Sequence, residues 1–315
     1  MLYTVTLNPC LDRHLVVEQL NHDDANRILL ETRYAAGKGI DVSRVIAELD
    51  EATVALGFVG GFSGQELEGR LINNHVQCSF TRISGETRTN IHIFDRGNRR
   101  QTSLNAPGPE VQPAELGMFC DRIRDLTPRP TLAALCGSVP RGVTREIYAQ
   151  LGVWLREQGA RVILDADGHS FRTGLKCGPY LIKPNIHELS RFLNEDLEDV
   201  GIEVLIKKAR VFFDYGVEVI ALSMGGRGLL LMPRDAGSAW HVTSPPIKVD
   251  STIGAGDSLI AGMMVGLHRG QTLVQAARLG VACGSATAMS PGTALCKKET
   301  VQELLPDVQV KQLPV

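Results

Sequence analysis

The sequence predicts an α/β protein, a mainly parallel sheet covered by helices on both faces, from which a small separate β-sheet projects. Two observations lead there. Short apolar, β-branched runs recur at 52–59 (ATVALGFV), 131–138 (TLAALCGS), 160–167 (ARVILDAD), 180–185 (YLIKPN) and 217–226 (VEVIALSMGG), with longer amphipathic stretches between them. That is the pattern of parallel strands buried on both faces. Segments 11–35 and 86–105 break the pattern with polar alternation, as strands with one wet face do.

The intervening elements follow from local signals. In the second polar segment, FDRGNRRQ (94–101) puts Gly97 and Asn98 at a hairpin turn. Residues 144–159 read as a helix with Thr144 as N-cap and Gly159 as its stop, burying Ile147, Leu151, Trp154 and Leu155. Residues 257–268 read as a helix that is apolar all round except at its ends, and so anchored in the core. No linker, repeat or low-complexity tract marks a second unit. Residues 1–315 are expected to form one domain with a β lid at about 11–35 and 86–105.

The composition narrows the partners. Of 315 residues, 43% are hydrophobic and 22% charged, enough to bury a large core. A net charge of −2 with no lysine or arginine block supplies no field for a nucleic-acid backbone, and no run of eighteen apolar residues would span a membrane. Small molecules are the expected partners. The seven cysteines, at 10, 78, 120, 136, 177, 283 and 296, include no CxxC pair and read as buried, reduced thiols. The opening MLYTVTLNP lacks the basic and apolar pattern of a leader, so a cytoplasmic location is expected.

Four short motifs at turns and helix starts carry the candidate chemistry. In STIGAGDSLIAGMM (251–264), Gly254, Ala255 and Gly256 would leave backbone amides pointing outward at a helix N-terminus, a nest for an anion. Asp257 beside that nest either caps the helix or takes a proton from an attacking hydroxyl. In LIKPNIHEL (181–189), Asn185 and Glu188 lie three apart, as an ordinary helix cap or as oxygen ligands for hydrated magnesium. SMGGRGLLL (223–231) suits backbone approach to phosphate or ribose, and equally a plain hairpin. AAGKGIDVSRVIAEL (35–49) holds Lys38 without Walker spacing, and no GxGxxG opens a helix after the first strand, so neither a P-loop nor dinucleotide binding is indicated. Asp165 and Asp167 sit where open sheets bind ligands, and serve there either a magnesium ion or a turn.

Taken in order, AGKGIDVSR, CGSVPRGV, IKPNIHEL, SMGGRG and STIGAGDSLIAG resemble the PfkB, or ribokinase-like, carbohydrate kinases over essentially the whole chain. TLNPCLDR (6–13), GETRTNIHI (85–93) and LNAPGPEVQPAEL (104–116) resemble most closely the 1-phosphofructokinase and tagatose-6-phosphate kinase branch, with minor-type 6-phosphofructokinases nearby. The resemblance implies a three-layer α/β/α sandwich with a β lid, a homodimer formed through that lid, and ATP and Mg2+ as cofactors. It implies Asp257 as catalytic base and Gly254, Ala255 and Gly256 as anion hole. Asp12, Arg27, Gly37, Lys38, Asp41, Arg88 and Ser138 would meet a ketohexose monophosphate, with Arg88 reaching its phosphate. Lys183, Asn185, Glu188, Ser223, Gly225, Gly228 and Thr252 would serve the nucleotide, Asn185 and Glu188 holding magnesium through water. The family pattern GGKGINVAR has an amide where this chain has Asp41, and a glycine where it has Ala36. An ionised carboxylate only accepts hydrogen bonds, so this departure bears on the choice of sugar and leaves a non-catalytic sugar-phosphate sensor as the alternative.

Overall fold

The computed structural model describes residues 1–314. The chain opens with β1 (Leu2–Thr6), β2 (Cys10–Val17), β3 (Ile28–Ala36), α1 (Lys38–Glu48), β4 (Thr53–Val59) and α2 (Gly61–Asn73). It continues through β5 (Gln77–Cys78), β6 (Thr81–Arg82), β7 (Arg88–Asp95), β8 (Arg100–Leu104), α3 (Pro113–Arg124), β9 (Leu132–Cys136), α4 (Ile147–Glu157), β10 (Arg161–Asp165), α5 (Gly168–Gly174) and β11 (Leu181–Ile182). The last part comprises α6 (Ile186–Leu193), α7 (Ile202–Ala209), β12 (Val219–Ser223), β13 (Leu229–Pro233), β14 (Ser238–Thr243), α8 (Ala255–His268), α9 (Leu273–Ala288), α10 (Lys298–Leu304) and β15 (Gln309–Pro314).

The large sheet has eleven strands, ten of them in the order β15-β14-β13-β12-β11-β10-β9-β1-β4-β5, with β6 paired to β4. From β12 to β5 all pairings are parallel, and β13, β14 and β15 extend the sheet antiparallel. Strand β9 shows why its sequence is apolar throughout. Leu132, Ala134 and Cys136 face a core with α1, α8 and α9, while Ala133 and Leu135 face one with α3, α4, α6 and α7. The predicted runs all contain strands, although 224–226 belong to the turn that follows β12.

The small sheet runs β3-β2-β7-β8, with β2 and β7 parallel and the outer pairs antiparallel. Its hairpin differs in detail from the expectation. The left-handed residue is Arg99, at φ 53°, and the turn is set by Asp95, whose carboxylate accepts from the amide and the side chain of Asn98, both at 2.9 Å.

Two helix starts also differ. Helix α4 begins at Ile147, and Thr144 is not its N-cap: the Thr144 hydroxyl pairs with Glu146 in a preceding turn. Gly159, at φ 91°, does end it. Helix α8 begins at Ala255, two residues early, with Gly254 as N-cap at φ 75°. All seven cysteines are free, five of them buried and Cys78 and Cys120 half-buried. Among the described residues no helix is long and apolar enough to cross a membrane.

Glycines let α8 and α9 cross at close range. A Cβ at Gly262 would lie 2.8 Å from Gly280 Cα, Leu279 O and Cys283 Sγ, and one at Gly280 would lie 2.6 Å from Leu259 O. By contrast, Gly69 on α2 is exposed and a Cβ there would touch nothing within 4 Å. Gly69→Ala should therefore gain the helix propensity of about 1 kcal/mol without cost. Gly262→Ala gains the same but meets an overpacking penalty of about 1–3 kcal/mol or more, backbone against backbone, and should lose stability on balance. Urea unfolding midpoints are expected to rise for the first and fall for the second.

Candidate active site

The parallel strands end along one edge of the large sheet, and the site is built on the turns that leave them. The N-terminus of α8 points into that edge. Gly254 is glycine for two reasons: its φ is left-handed, and a Cβ there would lie 2.7 Å from Leu295 Cδ2. The amides of Gly254, Gly256 and Asp257 have no acceptor among the described residues, leaving donors at the positive end of a helix dipole. Below them the helix is immobilised. Residues 258–267 are buried, and Ser258 Oγ lies 2.7 Å from Thr287 Oγ1 on α9.

Five charged residues share this corner. Asp165, the last residue of β10, is 1% exposed, and its Oδ1 lies 3.1 Å from Lys38 Nζ and 3.6 Å from Lys183 Nζ. Burial pushes its carboxyl up, but the two ammonium groups more than offset this and hold it below the usual carboxylate value. Lys38, the first residue of α1, is in turn raised. Burial opposes its charge, while Asp165, Asp257 and Glu188 favour it. Asp257 has the opposite balance. Burial first, then Asp165 and Glu188, push its carboxyl up to about 6 against the pull of Lys38 and Lys183. Among the described residues it makes no hydrogen bond and no ion pair. The result is an unpartnered carboxylate poised near neutrality beside a cradle of free amides, the electrostatics of a general base next to an anion site.

Asn185 and Glu188 form a reciprocal cap on α6. Asn185 Oδ1 accepts from the Glu188 amide at 2.8 Å, and Glu188 Oε2 accepts from the Asn185 amide at 2.9 Å. Each thus spends one oxygen on the helix. Glu188 Oε1 remains, and so does Asp165 Oδ2, which is buried without a partner. Among the described residues no three His, Cys, Asp or Glu side chains converge as a metal cage. Two hard anionic oxygens and no cage fit a magnesium ion held largely by water and phosphate. Of the two candidate aspartates after β10, Asp167 is the turn residue: it caps α5 and pairs with Arg191 at 3.0 Å.

A cavity of about 830 Å³ opens on the other side of α8. Lys183, Asn185, Ser223, Gly225, Gly228, Thr252, Ala255 and Gly256 line its polar end; Pro245, Pro246, Ile247, Val249, Leu259 and Val281 line the rest. At Gly228 a Cβ would fall 2.1 Å from Val242 O, so the turn after β12 admits no side chain. Glu188 lies outside this cavity, in a groove with Asp167 and Arg191.

The remaining candidates lie toward the small sheet. Arg88, opening β7, donates to Asn8 O at 3.0 Å and Ala106 O at 3.0 Å, with no carboxylate partner among the described residues. Asp12 is a strand residue of β2, not a turn cap. Its Oδ1 accepts from Asn90 Nδ2 at 3.0 Å, and its carboxyl is lowered: burial opposes, and contacts from His92, Cys10 and Asn90 outweigh it. Ser138 Oγ accepts from Asn8 Nδ2 at 3.3 Å. Gly37, at φ 123°, is the N-cap of α1 and accepts from the Asp41 amide at 2.8 Å. Asp41 Oδ1 lies 2.9 Å from Arg44 Nη1, yet burial, with Asp257 and Asp12 adding to it, pushes its carboxyl up to about 8. Lys38, expected along the sugar, pairs with Asp165 at 3.1 Å. Arg27 is exposed between β2 and β3 and bonds to nothing among the described residues, so the structure does not bring it to the others. Asn8, Asn90 and His92 have no role in the sequence reading, although TLNPCLDR holds the first and GETRTNIHI the other two.

The comparisons with known proteins agree with this geometry. A family profile described as pfkB family carbohydrate kinase matches residues 6–300, and the chain belongs to that family. Within it, the chain falls with sugar kinases of the phosphofructokinase type. It is 34% identical to 1-phosphofructokinase of Bacillus subtilis (strain 168), over 99% of this chain and 100% of the relative. It is 32% identical to a tagatose-6-phosphate kinase of Staphylococcus epidermidis, over 98% and 99%. The structure of Escherichia coli phosphofructokinase-2 with substrates and products superposes at a TM-score of 0.89, with 29% identity over 97% and 98% of the two chains. Arabidopsis thaliana ribokinase, at 18% identity, TM-score 0.77 and coverage of 96% and 98%, shares the fold. ATP is the phosphoryl donor that such a kinase uses.

The raised Asp257 carboxyl has a cost. A group whose folded value lies above its unfolded value loses stability as pH rises between the two, here from about 4 to about 6. Asp257→Asn should relieve that cost and unfold at higher urea than the parent at pH 8, by on the order of 1–3 kcal/mol, with the difference shrinking as pH falls from 6 toward 4.

Proposed function

We propose that this chain transfers the γ-phosphoryl group of ATP to a primary hydroxyl of a ketohexose monophosphate, with fructose 1-phosphate as the foremost acceptor and fructose 1,6-bisphosphate as the product. Tagatose 6-phosphate and fructose 6-phosphate are the acceptors to test beside it. The observation that carries this is Asp257, unpartnered and held near neutrality at the mouth of the amide nest. The leading curated relatives, a 1-phosphofructokinase among them, support the choice of acceptor.

In this reading Asp257 takes the proton from the acceptor hydroxyl, the hydroxyl oxygen attacks the γ-phosphorus, and the bond to the β-phosphate oxygen breaks to release ADP. The free amides at 254, 256 and 257 stabilise the charge on the moving group. Lys183, lying 3.1 Å from where a Cβ of Gly256 would be, is in place to meet the phosphate chain. Asp165 Oδ2 and Glu188 Oε1 would hold Mg2+ through water, and the bound ion would neutralise phosphate charge. Arg88, uncommitted to any acid, receives the acceptor's own phosphate, and Asp12 a sugar hydroxyl. Asp41 keeps its proton at neutral pH and can therefore donate a hydrogen bond, as the family's amide does. With its seven thiols unpaired, the protein belongs in a reducing cytoplasm.

A coupled assay of ADP release over the three sugar phosphates and unphosphorylated fructose tests the reading; absence of acceptor-dependent ADP release would refute it and favour a sensor. Asp257→Asn should lower kcat about 10³-fold with ATP binding retained, and Arg88→Ala should raise the acceptor KM about tenfold or more while leaving that of ATP within about twofold. The kcat should climb as pH passes about 6, where Asp257 becomes a base. Above pH 8 the acceptor KM should rise as Asp41 ionises, and Asp41→Asn should flatten that limb.

We further propose that the small sheet acts as a lid over the acceptor and as a homodimer interface. Leu30, Val16 and Phe94 lie side by side across β3, β2 and β7, with Leu30 59% exposed. Such an apolar stripe on an open sheet calls for a partner. An Escherichia coli phosphofructokinase-2 structure is described as a tetrameric inhibited form, so a relative assembles. Leu30→Asp should convert a dimer to a monomer in sedimentation velocity; an unchanged sedimentation coefficient would place the interface elsewhere.

A further inference from the structure

The small sheet meets the loop behind the anion nest at a point that the reaction scheme above leaves unused. His14 on β2 and His92 on β7 are direct neighbours in register, their rings stacked with centroids 5.0 Å apart and planes 22° apart. His92 Nε2 lies 3.3 Å from Asp12 Oδ2, off the line of a good hydrogen bond, and His92 Nδ1 lies 2.9 Å from Ser103 Oγ on β8. Because Asp12 can only accept when ionised, the ring proton belongs on Nε2, and Nδ1 accepts from the Ser103 hydroxyl. Ser103 thus fixes the tautomer that aims at the Asp12 carboxylate.

The other face of the pair bears on the core. A Cβ at Gly292 would lie 2.7 Å from His14 Cε1 and 2.9 Å from His14 Nδ1, and Gly292 has φ 62°, so the His14 ring sits directly against this backbone. His14 Nε2 is buried without a partner, which marks the ring as held by packing. Gly292 lies in the connection 289–297 between α9 and α10. The same connection carries Leu295, the side chain packed against Gly254, and Cys296, whose amide donates to Thr287 Oγ1 at 2.9 Å. Thr287 in turn meets Ser258 in the first turn of α8.

Asp12 and the nest belong to different bodies of the protein, yet a phosphoryl transfer needs acceptor hydroxyl, base and nest aligned within about an ångström. We infer that His92 and His14 form a strut between Asp12 and Gly292, setting the height of the small sheet over the catalytic loop so that the acceptor site and the nest are positioned together. Both are positioning residues, and the inference rests on the kinase reading above. A rigid ring stacked on a rigid ring suits this task, since packed interiors transmit displacement rather than absorb it.

The test combines hydrogen exchange on the free protein with kinetics. His14→Ala removes the strut's foot, and Gly292→Ala pushes it from the opposite side; a protein that tolerates only one of them still answers the question. In either variant, amides of 289–297 should exchange about tenfold faster or more while those of β9 and β10 stay unchanged. The acceptor KM should rise about tenfold and kcat fall, with the KM for ATP within about twofold. His92→Gln, which keeps a donor toward Asp12, should preserve the acceptor KM within about threefold, where His92→Leu loses it. Unchanged exchange at 289–297 in the folded variants, or losses confined to ATP, would overturn the strut. A parent enzyme that phosphorylates none of the sugar phosphates would overturn the kinase reading instead, and the exchange data would still decide on the strut.

Discussion

Asp165 between Lys38 and Lys183 is the contact on which the site depends. A carboxylate with 1% exposure is costly to ionise, and here two ammonium groups from different elements offset that cost. Lys38 comes from the start of α1 and Lys183 from the turn after β11, so a single buried anion fixes the position of two cations from different elements. The arrangement leaves Asp257 in a field of mixed sign. Asp165 raises its carboxyl and the lysines lower it, so the near-neutral value is a difference between large opposing influences. Any change in the triad moves the base with it.

The second requirement is that the amides of α8 do not move. The helix is held through contacts that leave no slack: small residues at 262, 266, 280 and 284 where it crosses α9, and the Ser258–Thr287 hydroxyl pair under its first turn. An anion site made of backbone donors has no rotamers of its own, and its precision is the precision of this packing. That is why an almost wholly apolar helix carries an acidic residue in its first turn. The core fixes the helix, and the helix presents Asp257.

Much of this was legible in the sequence, for reasons that also explain the rest. LAALC at β9 reads as a strand buried on both faces because neither face has room for a polar side chain, and it is so buried. Gly254 and Gly256 before Asp257 fit a nest or a plain capped helix as letters; the structure shows a left-handed Gly254 as the N-cap of α8 and Asp257 in its first turn. Asp165 and Asp167, by contrast, are indistinguishable as letters. They differ by register, the first still paired in β10 opposite Cys136 and the second already capping α5. Asn185 and Glu188 fit a cap or a metal equally well as letters; in the structure the reciprocal cap spends the one oxygen of Asn185 and leaves only Glu188 Oε1 free. Asn90 and His92 were passed over because polar alternation in a strand reveals which residues share a face, not what that face abuts. Thr144 failed as a cap because its hydroxyl found a nearer partner in Glu146.

The candidate site residues lie on two bodies of the fold, which meet at a third point. Asp12 and Arg88 ride on the small sheet, while Asp257, Lys183 and the donor cavity belong to the large one. One covalent joint between them is β3 running through Gly37 into α1. A side chain at Gly37 would combine a left-handed φ with a Cβ 3.0 Å from Thr6 Cγ2, so the turn stays tight and α1 starts at the site edge. Arg44 clamps that joint, donating to Ala35 O at 3.1 Å on the β3 side and to Asp41 at 2.9 Å on the α1 side. Asp41 therefore sits where sheet and helix meet, close enough to Asp12 and Asp257 for both carboxyls to raise its own. Burial, with Asp257 and Asp12 adding to it, pushes the Asp41 carboxyl up to about 8 against the pull of Arg44, at the position where the family pattern carries an amide.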